Sequence, residues 1–218
     1  MGTVSLHAIS IDELRDAFSG TDAAVERLRA VALATWPPEH APARRDGGLL
    51  DKLGPFSRRA ISAPVIRPDV PTGRDLHDVA HGRDVPEGRR VAAWALVDAF
   101  VTATAWGSLA FEAGDRTVDD LDFELAAGGL PSRFGLRQLF SGDTALPLKL
   151  LPGMADGYER HAMAVARASA WAEAVAGLDA PAPLARRVAA WLAGFSGWAT
   201  DANEVGRPAP DLVVWYRP

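Results

Sequence analysis

Asp98 is the one ionisable residue between Val91 and Phe111. A carboxyl carried into a low-dielectric interior either keeps its proton and serves as an acid or base, or is held ionised by an arginine or by hydrogen bonds. On a helix, Trp94 at i−4 and Thr102 at i+4 share its face. Trp94, Asp98 and Thr102 are therefore the expected walls of a ligand pocket, with Asp98 the candidate catalytic group. The plainer reading is a structural pair with one of the many arginines, or a helix with one wet edge.

His77 and His81 stand at i and i+4, the spacing that puts two imidazoles on one helical face as a metal site requires. The Glu that follows the first His in zinc proteases is missing, and a third ligand would have to come from His161, Glu159 or Asp69. This leaves a metal-dependent hydrolase as one alternative, and a general base oriented by Asp75 or Asp78 as another. The segment is charged and flanked by glycines, so solvated or capping roles are the plainer expectation. No metal and no cofactor is expected.

Other chemistry is hard to place. Gly47-Gly48 lacks the surroundings of a phosphate-binding loop, and Gly128-Gly129 reads as a helix stop. Neither a Gly-x-Ser-x-Gly elbow nor a Ser-x-x-Lys occurs, and Phe195-Ser196-Gly197-Trp198 reads as a break in a helix. The seven tryptophans could line an apolar pocket, but each more simply fills its own part of a core.

Composition narrows the function classes. A net charge of −5 argues against a partner recognised through phosphates, and Arg44-Arg45 and Arg58-Arg59 are interrupted by Asp46 and Asp51. With no cysteine, disulfide frameworks, thiol nucleophiles and Cys-ligated metals are excluded. The opening MGTVSLHAIS lacks the pattern of a signal peptide, so a cytoplasmic location is expected. Asp98, Thr102, Thr104 and Ser108 make a membrane span through Val91–Phe111 costly. Arginine in place of lysine, with only Lys52 and Lys149 present, is the composition of a GC-rich bacterium.

The elements that must position these residues follow from periodicity and caps. Val4, Leu6 and Ala8 alternate with Ser5 and His7, as in a strand with one buried face. Ser10-Ile11-Asp12-Glu13 fits a capping box and predicts a helix over 11–18, and Thr21-Asp22 starts a second that reaches Trp36. The proline-rich stretch 37–71 reads as an ordered loop with a short helix around Leu49–Leu53. A short helix over 75–80 closes at Gly82. A long buried helix is then expected from about 87 to 109, and others over 117–127, 157–175 and 184–199. Asp211–Tyr216 is a second β-prone run.

These elements predict a mainly helical α+β fold over one domain, residues 1–218, with a central buried helix surrounded by helices and the short terminal strands paired in one small sheet. The favoured function is a soluble binding or interaction protein without chemistry of its own, taking a protein or small-molecule partner and neither nucleic acid nor membrane. The alternative is an enzyme using Asp98, or the hydrolase built on His77 and His81.

Overall fold

The computed structural model describes residues 1–37, 67–114 and 116–218. Most of the expected proline-rich loop, its short helix and the Arg44-Arg45 and Arg58-Arg59 pairs lie outside the described residues. Among the described residues the fold is mainly helical α+β, built on one antiparallel sheet of order β2-β1-β4-β3. The strands are β1 (Gly2–Ile9), β2 (Gly107–Ala113), β3 (Ala155–Glu159) and β4 (Asp211–Arg217). As expected, the two outer ends of the sequence pair at the centre, with Leu6 of β1 opposite Val214 of β4.

Helices cover both faces of the sheet. On one, α1 (Ile11–Asp16), α2 (Asp22–Thr35), α3 (Gly73–Ala80) and α4 (Arg90–Thr104) close a core with Ile9, Val213 and Trp215. On the other, α5 (Thr117–Ala127), α6 (Leu136–Leu139), α7 (His161–Ala176), α8 (Pro183–Leu192) and α9 (Phe195–Glu204) close a second core with Val4, Leu6, Phe111, Leu212 and Val214. Successive strand residues feed opposite layers. The polar face of β1 is therefore only partly solvated, against expectation: Thr3 is exposed and Ser5 half-buried, but His7 is only 6% exposed.

Local signals explain several boundaries. Ser10 caps α1 through Asp12 N–H, and Thr21 caps α2 through Ala24 N–H. Thr72 and Asp75 form a reciprocal capping box at α3, and Gly82 follows that helix at φ +57.

Three expected helices require correction. The central helix does not run from 87 to 109: a 3-10 turn over Glu87–Arg89 leads into α4, which ends at Thr104, and the following residues form β2. Gly107, the first residue of β2, packs against the Trp198 ring, which a Cβ there would meet at 2.3 Å. Nor is α4 enclosed on every side. Val91 is 50% exposed and Thr102 is exposed, with half-buried Ala95 and Asp98 between them on one flank.

The expected helix from 157 starts later, because Ala155–Glu159 is strand β3 and α7 begins at His161. The last expected helix divides into α8 and α9 at Gly194, where a Cβ would again press on Trp198, at 2.5 Å. Among the described residues no helix is long and apolar enough to cross a membrane.

Candidate functional site

Register places the polar residues that sequence periodicity could not group. Thr3 lies opposite Glu112 on β2 and opposite Arg217 on β4. Arg217 is two residues beyond Trp215, which belongs to the α4 layer, so the row Glu112, Thr3, Arg217 faces α4. Ser5 follows in the next row on the same face. Across from this row stands Asp98, on the wet flank of α4.

Asp98 and Arg217 form an ion pair, Oδ2 to a terminal guanidinium nitrogen, with side chains 30% and 29% exposed. The guanidinium also donates to the Trp94 carbonyl at 3.4 Å and lies 5.8 Å from the centre of the Trp94 ring. The pair is not saturated, because Asp98 Oδ1 and Arg217 Nε are buried without a hydrogen-bond partner. It opens into a cavity of about 420 Å³ whose walls include Thr3, Ser5, Asp98, Glu112 and Arg217.

Burial pushes the Asp98 carboxyl up to about 6, against the pull of the Arg217 charge and hydrogen bond. His7 lies further along the same face of β1. Its Nδ1 is 2.8 Å from Ser108 Oγ, its ring is 4.9 Å from that of Trp215, and its Nε2 is buried without a partner. Burial, then the nearby Arg217 charge, pushes His7 down to about 4, so it is neutral near pH 7.

Of the expected trio, only Asp98 reaches this cavity. Trp94 is fully buried, packs edge-on to Trp215 and donates its indole N–H to the Lys149 carbonyl at 3.0 Å. Thr102 points to solvent on the same flank of α4 and is not among the cavity walls. The residues the sequence did not single out are Thr3, Ser5, His7, Glu112 and Arg217. The alternation of β1 carried a signal for three of them, but without β4 beside it the polar face of that strand reads as solvated.

His77 of α3 and His81, its C-cap, do meet, with ring centres 4.2 Å apart, and His81 Nδ1 contacts the His77 carbonyl at 2.9 Å. Among the described residues no group of three or more His, Asp or Glu side chains is placed to hold a metal. Two of the three expected third ligands are engaged elsewhere: Glu159 pairs with buried Arg167, and His161 Nδ1 contacts the Pro210 carbonyl. Asp75, offered as an orienter of one of these histidines, bonds back to Thr72 in the α3 capping box and pairs with Arg89.

Comparison with known proteins found no family model, curated protein or solved structure that matches the chain.

Proposed function

We propose that the protein works by binding, without chemistry of its own, and that its recognition site is the cleft between α4 and the β2 side of the sheet. One observation carries this reading: a half-buried ion pair lines a cavity of about 420 Å³. Small-molecule sites are concave and carry a few placed polar groups. In this one the acceptors dominate. Two carboxylates, Asp98 and Glu112, and the hydroxyls of Thr3 and Ser5 face a single guanidinium that Asp98 already holds. The favoured ligand is therefore small and rich in donors, such as a primary amine.

The lack of cysteine supports a reducing, cytoplasmic setting, and the acidic net charge supports a small-molecule or protein partner over nucleic acid. A second reading, an enzyme with Asp98 as its acid or base, is favoured by that carboxyl being pushed up to about 6 beside an open cavity.

Titration of the isotope-labelled chain with ethanolamine, glycerol and acetate, followed by amide chemical shifts, tests the binding reading. Ethanolamine is expected to shift Thr3, Ser5 and Glu112, and Glu112→Gln to weaken it about tenfold, the loss of one charge-assisted hydrogen bond. Acetate as the sole occupant, or no shift at these residues, overturns it.

A further inference from the structure

We infer that the opposite face of the same sheet corner holds a second ligand site, built for a compact apolar molecule carrying one carboxylate. Tyr216 and Arg217 are consecutive in β4, so they point to opposite faces. The same holds for Glu112 and Ala113 in β2. Where Arg217 and Glu112 serve the first cleft, Tyr216 and Ala113 line a separate cavity of about 310 Å³ beneath α5 and α6.

The lining is different in kind. Ala113, Val118, Phe140, Ala155 and Tyr216 supply apolar and aromatic walls, and Arg137 is the one charged side chain among them. A largely apolar cavity with one charged group at its edge is the usual form of a site for a small organic ion. At 310 Å³ it is at the lower end of ligand pockets, which run from roughly 300 to 1,000 Å³, so the ligand is compact.

Arg137 sets the sign of the charge. Its Nε is paired with Asp119, while its terminal nitrogens make no hydrogen bond to another described residue. Two donors of the planar fork are thus open to a carboxylate. The other nearby acid, Asp122, makes no hydrogen bond to the guanidinium and acts on it by charge alone: its oxygens accept from the amides of Leu136 at 2.5 Å and Arg137 at 2.9 Å. An amine would meet the guanidinium head-on, and a phosphate ester would want more than one cation.

The test uses benzoate and its uncharged counterpart benzyl alcohol against the labelled full chain. Benzoate is expected to shift the amides of Ala113, Val118 and Phe140 and to leave Thr3 and Ser5 unmoved. Arg137→Met should weaken benzoate about tenfold, at the low end for a charge-assisted bond on a solvent-exposed arginine. Arg137→Lys should retain part of the affinity, and Asp119→Asn should tighten it by removing a negative charge beside the guanidinium. Arg137 is exposed, so its variants should melt with the parent, and the Asp119 variant gives an independent reading if they do not. Equal binding of benzyl alcohol, unchanged affinity in both Arg137→Met and Asp119→Asn, or shifts confined to the Asp98 cleft would overturn the assignment.

Discussion

His7 and Asp98 titrate over the same pH range with opposite consequences for stability. Between about pH 4 and 6.5 the unfolded chain protonates His7 and the folded protein does not, so His7 makes stability rise with pH, by roughly 3 kcal/mol in all. Asp98 acts in reverse. From 3.8 to about 6 the folded protein keeps a proton that the unfolded chain has released, so stability falls as pH rises. Its side chain is 30% exposed, which brings the effect down to about 1–2 kcal/mol. Urea denaturation at pH 4, 5, 6 and 7 separates the two. Asp98→Asn should steepen the rise of stability with pH by that amount, and His7→Gln should flatten or invert it. Parallel curves for all three proteins would mean that neither environment perturbs its residue as described.

Single residues also organise whole elements. Asp211, 3% exposed, accepts from Ile11 N at 2.9 Å and from His161 N at 2.8 Å, so one carboxylate holds the first turns of both α1 and α7. Asp211→Ala leaves two shielded amides without partners and should cost about 2–4 kcal/mol, read from the urea midpoint. Asp211→Asn, which keeps one acceptor, should cost less. Gly157 marks a similar dependence in β3, where a Cβ would come within 1.9 Å of the Leu139 carbonyl oxygen. Gly157→Ala should therefore destabilise by about 1–3 kcal/mol or more, through displacement of β3 from α6.

These elements also show what the sequence discloses. The first two helices, α3 and both central strands are legible from caps and alternation, because each signal is local. Strand β2 is not, since Leu109 and Phe111 continue an apolar stretch that begins in α4. Strand β3 is short and carries Ala155 and Gly157 in place of β-branched residues. The cleft is least legible of all. Asp98 is conspicuous by its isolation, but its partner is one arginine among many and is chosen by strand register, a long-range property that no local pattern encodes.

At the scale of the molecule, two cores share one set of strands. Leu28 belongs to the α4 side and Leu125 to the other, both buried. Leu28→Ala and Leu125→Ala should each lower stability by about 2–5 kcal/mol. If the chain is one cooperative unit, each should shift a single transition seen alike by tryptophan fluorescence and by circular dichroism. Two separated transitions would mean that the layers unfold independently. The central pairing of β1 with β4 also sets the order of events during synthesis. Ile11 and Asp211, at the junction of that pair, are 200 positions apart. A ribosome therefore releases the first strand long before the partner that seals it, and Val213, Val214 and Trp215 then complete both interiors in one late event. A chain halted before residue 211 is a client for chaperones, with its middle still missing, rather than a slightly weakened version of the finished protein.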